Sequence, residues 1–237
     1  MDYSLYDKER YLPTAAEALD QGNRTLEAIS GFFDSSDTSQ RVLEIGCASG
    51  SFLKILQEKR FALVKGIDID TELISHGREV LGVSIQAADW SSYVSTSVET
   101  YDLIVALDVI EHISPMEIED ILRKTCSRLA SGGKLIMRLP NPACPFVLPT
   151  FCGDLTHKLL ITTELLEHLL EKSGFGGAIT FKETRPHQKI KRFMYFILHY
   201  LFIRPVIVLF YYDFYGRRPG PITRNVYCCA SKSSEHR

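Results

Sequence analysis

Acidic side chains stand at the ends of short apolar runs, next to a glycine-containing turn. Gly46 and Gly50 lie in the turn that follows the run Arg41–Ile45, where backbone can come close to a ligand. Asp68 closes the next run and can accept two hydrogen bonds from a ribose diol. Asp89 closes a third run, beside Trp90, and can accept a hydrogen bond from an exocyclic adenine amine. Together these residues predict a nucleoside site, whereas Asp68 alone could be an ordinary turn or capping acid.

Glu111, His112 and His157 are the candidate catalytic residues, as proton acceptors. Glu111 and His112 follow the apolar run Tyr101–Leu107, and His157 precedes a predicted helix on a loop that could fold over the site. Each histidine also has a structural alternative, which is to cap a loop or bond its backbone. Asp108 with Glu111 and His112 gives no complete ligand set, so no metal is predicted.

Strands alternate with helices along the chain, which predicts an α/β fold with helices on both faces of a parallel sheet. Residues 14–33 predict one or two helices with a break near residues 21–23. Later helices are predicted from Phe52, from Thr71 to about Val80, from about Pro115 to Ala130 and from Thr162 to Lys172. The predicted strands are Arg41–Ile45, Leu63–Asp68, Val83–Ala87, Tyr101–Leu107, Lys134–Leu139, Ala178–Glu183 and Val226–Ser231.

The segments VLEIGCASGSF, GIDID, AADW, YDLIVALDVIEHI and LASGGKLIMRLPN, in that order, resemble the class I S-adenosylmethionine-dependent methyltransferases over residues 40–184. The resemblance implies a Rossmann-like, doubly wound, seven-stranded and mostly parallel sheet, with S-adenosylmethionine as cofactor and S-adenosylhomocysteine as product. GDLTHKLLITTELLEHLLEKSGF also resembles the corresponding region of methyltransferases associated with glycan and lipid biosynthesis. The cofactor contacts that the resemblance implies are Glu44, Gly46, Cys47, Ala48, Gly50, Asp68, Ile69, Asp89, Trp90, Leu107 and Asp108.

The turn departs from the usual glycine pattern of this family at Ala48, where a second glycine is common. Alanine is tolerated where φ is negative, so we expect a negative φ there and little effect on cofactor binding. A dinucleotide-binding oxidoreductase is the alternative function that a glycine-rich turn of this kind could indicate. The turn lacks the GxGxxG spacing, which weighs against a dinucleotide.

Composition describes an ordinary globular protein. Of 237 residues, 45% are hydrophobic and 24% charged, and the net charge of −2 gives no global indication of nucleic-acid binding. The six cysteines form no CxxC pair and no apolar leader is apparent, so we expect a cytoplasmic location. Residues 182–237 carry eleven basic and three acidic residues, which predicts that this part meets an anionic surface.

Residues 190–215 form an apolar insertion before the last predicted strand, interrupted by Arg204-Pro205. Crossing a membrane would put Arg204 near the centre of the span and the last strand on the wrong side. Two short helices bent at Arg204-Pro205 and lying on a membrane surface are favoured, with packing or homodimer formation as the alternative. Basic residues flank the segment at Lys189, Lys191, Arg192, Arg217 and Arg218.

The prediction is therefore one domain with four parts: a helical cap over 1–38, a methyltransferase core over 39–185, the insertion within 186–224, and the last strand and tail over 225–237. We expect O-methylation of a membrane-presented glycan, lipid head group or prenylated ring, with peripheral attachment to the cytoplasmic face through residues 189–218. Two alternatives stay open. One is a soluble small-molecule methyltransferase whose insertion dimerises, and the other is a non-catalytic subunit that binds the cofactor.

Overall fold

Seven strands form one sheet in a computed structural model that describes residues 12–183, 194, 197–216 and 220–233. The strands are β1 (Arg41–Ile45), β2 (Leu63–Asp68), β3 (Ile85–Ala87), β4 (Tyr101–Leu107), β5 (Leu129–Pro140), β6 (Ile179–Glu183) and β7 (Asn225–Ser231). Their order across the sheet is β3-β2-β1-β4-β5-β7-β6. Strands β1 to β5 pair in parallel, and β7 runs antiparallel to both β5 and β6. The predicted seven-stranded, mostly parallel sheet is confirmed.

Helices precede β1 and lie between most of the later strands. They are α1 (Ala15–Ile29), α2 (Ser51–Glu58), α3 (Thr71–His76), α4 (Trp90–Thr96), α5 (Ile118–Ser127), α6 (Leu148–Phe151), α7 (Thr163–Lys172) and α8 (Arg204–Tyr215). Single π-helical turns follow α3 and precede α8, and a 3₁₀ turn covers Ile110–His112. Helices α4 and α6 are absent from the sequence-based prediction.

Helix α1 is continuous, so the break predicted near residues 21–23 is wrong. Gly22 is buried where α1 meets α2, and a Cβ there would lie 2.3 Å from the Ser51 carbonyl oxygen. The glycine therefore serves close helix packing, which outweighs its poor helix propensity.

Helices cover both faces of the sheet. On one face, α4, α5 and α7 pack over residues such as Leu43, Ile104 and Leu135. On the other face, α1 and α2 pack over Val42 and Val105 among others. Burial on both faces explains why the central strands are almost uninterrupted apolar runs.

The insertion leaves and re-enters the sheet at one edge. Glu183 pairs with Val226, and Pro140 pairs with Asn225, so β6 ends and β7 begins beside the carboxyl end of β5. Arg204 Nη1 lies 2.6 Å from Glu183 Oε1, which ties α8 to the end of β6. The insertion is therefore anchored at the edge of the sheet where the parallel strands end.

Helical geometry continues through Arg204-Pro205, because Pro205 occupies the first turn of α8 and needs no amide partner there. The predicted boundary between two helices thus coincides with a change from a π-helical turn to α-helix. Among the helices described here, none has the length and apolar content needed to span a membrane.

Candidate active site

A cavity of about 450 Å³ opens at the carboxyl ends of β1, β2 and β4, where doubly wound sheets bind ligands. Ten of the eleven candidate cofactor residues line this cavity, together with one candidate catalytic residue. These are Glu44, Gly46, Cys47, Ala48, Asp68, Ile69, Asp89, Trp90, Leu107, Asp108 and His112. Gly50 lies outside the lining and precedes α2 with a φ of +84°, so it shapes the turn.

The turn after β1 uses positive φ angles. Gly46 has φ +66°, and a Cβ on it would lie 2.5 Å from Val109 Cγ2. Ala48 has φ +49°, so the expected negative φ is wrong. The Ala48 N–H donates to Asp68 Oδ2 over 2.7 Å, and this bond fixes the strained turn. Left-handed backbone costs an L-residue roughly 1–2 kcal/mol.

Asp68 joins the turns that follow β1 and β2. Besides accepting from Ala48, it accepts at Oδ1 from the Asp70 N–H over 2.9 Å. Burial raises the pKa of Asp68, although these amide hydrogen bonds oppose the effect. Asp68 therefore has the turn-stabilising role considered above, and it also lines the cavity. Each carboxylate oxygen can still accept a further bond, as a ribose diol would require.

Glu44 brings a buried carboxyl to the same part of the cavity. Glu44 is 7% exposed, and its Oε2 has no hydrogen-bond partner among the described residues. Burial, and next the nearby Asp68 carboxylate, raise the pKa of Glu44 well above its usual range. A positively charged ligand group would remove this cost, because it would pair with the buried oxygen.

Asp89 and Trp90 begin α4. Asp89 Oδ1 accepts from the Ser92 N–H over 2.9 Å and so caps the helix. The Trp90 indole N–H donates to Thr125 Oγ1 over 2.9 Å, which fixes the ring within the core. The sequence spacing Asp89-x-x-Ser92 is a capping signal that could have predicted α4.

Arg138 is a cavity residue that the sequence analysis missed. Its guanidinium bonds both carboxylate oxygens of Asp108, with Nε 2.8 Å from Oδ1. Asp108, at φ +57°, is thus held by an ion pair beside the cavity. The signal was present, since Arg138 is a single charge within the apolar segment LIMRLP.

Glu111, His112 and His157 lie close together beside the cavity, and we call them the acid–histidine cluster. One possible ligand atom from each lies within 4.8 Å of the other two, and the two imidazole centroids are 4.8 Å apart. The Lys158 and Leu159 amides donate to the Glu111 carbonyl, which holds the loop with His157 in place. Within the cluster, His112 reaches the cavity lining, whereas Glu111 and His157 lie behind it.

Hydrogen bonds fix the protons of both imidazoles. His157 Nδ1 lies 2.7 Å from the Phe151 carbonyl oxygen, which can only accept, so Nδ1 carries the proton. Thr156 donates its hydroxyl proton to Asp154 over 2.6 Å and lies 2.8 Å from His112 Nδ1. Thr156 must then accept from His112, so both Nδ1 atoms carry a proton, and Nε2 is the atom with the lone pair in the neutral form of each ring. His157 Nε2 lies 3.9 Å from Asp154 Oδ2.

Electrostatics act in opposite directions on two members of the cluster, because they favour a neutral His112 imidazole and a protonated Glu111 carboxyl at neutral pH. Burial, and next the neighbouring His157, lower the pKa of His112. Burial, and next the Asp108 carboxylate, raise the pKa of Glu111 to about 8. Glu111 is 2% exposed, and its Oε2 has no partner among the residues that the structure describes.

A family model for a methyltransferase domain matches residues 17–178, which is more than half of the chain. This chain belongs to that methyltransferase family. Its domain is therefore that of an S-adenosylmethionine-dependent enzyme, as the sequence motifs predicted.

Solved structures share the fold of this methyltransferase domain. An S-adenosylmethionine-dependent methyltransferase from Archaeoglobus fulgidus is 20% identical, with a TM-score of 0.68 over 98% of this chain and 100% of that chain. The N-methyltransferase NodS from Bradyrhizobium japonicum, with bound S-adenosylhomocysteine, is 17% identical, with a TM-score of 0.56 over 98% and 99% of the two chains.

A curated relative shares part of the sequence. A tRNA1(Val) (adenine(37)-N6)-methyltransferase from Parabacteroides distasonis is 23% identical over 132 residues, covering 46% of this chain. The match spans 56% of the length of that relative.

The donor end of the cavity suits S-adenosylmethionine. An ammonium group would satisfy the unpartnered Glu44 oxygen. Asp68 and Asp89 lie at neighbouring strand ends, as a ribose and an adenine would require. The cavity volume is also within the usual range for a small-molecule site.

Proposed function

We propose that this methyltransferase domain methylates a hydroxyl oxygen of an acceptor presented at a membrane surface. The acid–histidine cluster carries the proposal. His112 lines the cavity beside the residues proposed to hold the cofactor, its Nδ1 is bonded to Thr156, and burial lowers its pKa, so its Nε2 is the candidate proton acceptor. A hydroxyl must lose its proton during transfer, whereas a neutral amine already has a free lone pair. A cluster built to accept a proton therefore favours an oxygen acceptor.

Each end of the cavity has a separate task. Bound S-adenosylmethionine supplies a methyl group on positively charged sulfur. Glu44 and Asp68 would hold the amino-acid and ribose ends of the cofactor, so that its position is set before the acceptor enters. His112 would take the acceptor proton, with Glu111 and His157 setting its position and charge. Alignment of donor and acceptor supplies most of the remaining rate enhancement.

The insertion supports presentation at a membrane. Its exposed apolar side chains include Leu198, Leu201, Phe202, Leu209 and Phe210, each between 58% and 70% exposed. Several large exposed apolar side chains on one segment are typical of an interaction surface. They lie on the segment that starts and ends at the carboxyl edge of the sheet, so a bound membrane would lie near the acceptor end.

The charge at Arg204 does not oppose this arrangement, because the guanidinium pairs with Glu183 of β6. The five flanking basic residues, at 189, 191, 192, 217 and 218, lie outside the described residues. The acceptor classes that match a hydroxyl at a membrane are a lipid-linked glycan, a lipid head group and a prenylated ring. Packing of the insertion against a second copy is the competing use of this surface.

Label transfer tests the acceptor. The protein is incubated with S-[methyl-³H]adenosylmethionine and anionic vesicles that carry a prenylated phenol, a glycolipid or phosphatidylglycerol. We expect label in the lipid phase as a methyl ether, and less with the same acceptor in soluble form. Label found only on soluble amines would overturn the oxygen proposal, and cofactor binding without any transfer would favour a non-catalytic subunit.

Vesicle flotation tests the surface. We expect wild-type protein to float with phosphatidylglycerol vesicles and Leu209→Glu to remain at the bottom of the gradient. Val98→Glu is the matched control, because Val98 is 87% exposed and precedes β4, at the opposite edge of the sheet. A wild-type protein that stays at the bottom and sediments as a dimer would assign the surface to dimerisation.

A further inference from the structure

We propose that the acid–histidine cluster binds one divalent transition-metal ion, through a carboxylate oxygen of Glu111 and Nε2 of His112 and His157. From sequence alone, Asp108 with Glu111 and His112 made no complete ligand set, so no metal was predicted. In the structure Asp108 pairs with Arg138, and His157 comes from 45 positions further along the chain than His112 to complete the set. Metal binding itself does not depend on the acceptor, but its catalytic meaning rests on the proposed function.

Geometry supports the site. One ligand atom of each residue lies within 4.8 Å of the others, and both Nδ1 atoms are already engaged by Thr156 and Phe151. The remaining ligand atom of each imidazole is therefore Nε2. Small side-chain rotations would bring three atoms at this spacing to the 2.0–2.2 Å distances of a zinc ion.

The state of the cluster without a cation is unfavourable. Glu111 is 2% exposed, its Oε2 has no partner among the described residues, and Nε2 is the acceptor atom left on each neutral imidazole, with one ligand atom of all three residues within 4.8 Å. One shared proton can satisfy only two of these three atoms. A single divalent cation satisfies all three and offsets the cost of burying the carboxylate.

The partners of the ligands are those that metal-binding histidines use. His157 donates from Nδ1 to a backbone carbonyl, and His112 donates to Thr156, which is bonded in turn to Asp154. Such bonds orient the rings and fix the tautomer that binds a metal. Two imidazoles and one carboxylate suit Zn²⁺, Fe²⁺ or Co²⁺ better than Mg²⁺ or Ca²⁺, which prefer oxygen ligands.

The position of the ion explains what it would do. Three protein ligands leave a position open in a tetrahedral site, and His112 connects the site to the cavity. With the ion bound, His112 Nε2 would be a ligand and no longer a free base, so the charge of the ion would replace that role by favouring loss of the acceptor hydroxyl proton to water. The ion would also join the turn after β4 to the loop 154–158, which would keep the acceptor end of the cavity closed on that side.

Metal titration tests the proposal without any acceptor. Chelator-treated protein is titrated with Zn²⁺ in competition with a chromophoric chelator, and Co²⁺ is added separately to record its visible spectrum. We expect one Zn²⁺ per chain, a Co²⁺ spectrum typical of four- or five-coordination, and no competition from equimolar Mg²⁺. Glu111→Gln and His157→Gln should each weaken Zn²⁺ binding by at least about tenfold.

Two control variants separate this site from other ligands. His168→Gln alters an exposed histidine on α7, and Cys152→Ser removes an exposed thiol close to His157 in sequence, and both should bind Zn²⁺ like wild type. Calorimetric binding of S-adenosylhomocysteine shows whether each variant is folded. Thr156→Val adds a milder change, because it removes the bond to His112 while leaving all three ligands. We expect it to weaken Zn²⁺ binding as well.

The outcomes differ for the two proposals. Equal Zn²⁺ affinity in wild type, Glu111→Gln and His157→Gln, or loss of binding in Cys152→Ser, would show adventitious metal only and overturn the site. In that case lipid-phase methyl transfer could still proceed with His112 as the free base. Stoichiometric Zn²⁺ binding with no methyl transfer to any hydroxyl would instead retain the metal site and remove the proposed acceptor chemistry.

Discussion

The two ends of the cavity are built in different ways. At the donor end, Asp89 accepts from the Ser92 amide in its own turn, and Asp68 accepts from the nearby Asp70 amide and from the Ala48 amide in the turn after the neighbouring strand β1. At the acceptor end, Glu111 and His112 depend on a loop more than 40 residues later to bring His157 and Thr156. The donor end is therefore fixed by turns after neighbouring strands, whereas the acceptor end also requires a loop from much later in the chain.

Removing the His112 imidazole should have the largest effect on turnover. It should also distinguish the acceptor end of the cavity from the donor end, because only turnover should change. We expect His112→Ala to lower kcat by about 10²–10⁴-fold, because a positioned proton acceptor contributes that much. The Kd for S-adenosylmethionine should stay within about twofold, since His112 is proposed to act on the acceptor. Steady-state kinetics and calorimetry measure the two quantities. Unchanged turnover would remove His112 from the reaction.

Replacing Asp68 should affect the donor end alone. We expect Asp68→Ala to weaken S-adenosylmethionine binding by roughly 1–3 kcal/mol, because charge-assisted hydrogen bonds are lost. Zn²⁺ affinity at the other end should not change. Asp37→Asn, an exposed loop carboxylate, is the control. A cofactor dissociation constant equal to that of wild type would leave Asp68 with only its turn-fixing role.

Glu44 should show opposite effects on binding and stability. Its folded pKa is raised, so the unliganded protein loses stability as pH rises above about 5, where the unfolded carboxyl is already ionised. Glu44→Gln should remove this loss and stabilise the unliganded protein by about 1–3 kcal/mol at pH 7, while weakening cofactor binding. Urea unfolding at pH 5 and pH 8 measures the difference. A variant as pH-sensitive as wild type would contradict this account of Glu44.

Ala48 should give the smallest effect. Glycine relieves roughly 1–2 kcal/mol of backbone strain at φ +49° but costs about 0.4–1 kcal/mol in the unfolded chain. We therefore expect Ala48→Gly to stabilise the protein by about 0.5–1 kcal/mol in thermal unfolding. Ala62→Gly, at a position without a positive φ, should destabilise it instead. Destabilisation by both substitutions would show that the turn is not strained at Ala48.

The fold was predictable because its signals are local. The run Tyr101–Leu107 is apolar in the sequence and buried in the centre of the sheet, and the glycine turn and strand-end acids predicted which edge holds the cavity. The break assigned to α1 was wrong because a glycine that admits a neighbouring helix looks, in sequence, like a helix breaker.

The parts of the site that were not predicted depend on contacts between residues far apart in the sequence. Asp108 looked like a ligand or cofactor residue, and only the pairing of β4 with β5 shows that Arg138 holds it. Similarly, no spacing in the sequence places His157 beside His112, because loop closure between them is set by backbone bonds to the Glu111 carbonyl. Proton positions on the histidines follow from Thr156 and Asp154, which carry no recognisable motif.

The antiparallel strand β7 also determines when the sheet can be completed. It lies between β5 and β6, although it follows β6 by about 40 residues in the chain. During synthesis β6 emerges before the strand it must pair with, and the apolar insertion emerges between them. Both β5 and β6 therefore present unpaired edges until residues 225–231 leave the ribosome, a period in which such edges favour misassociation. Deleting β7 should yield an aggregating chain rather than a smaller folded domain.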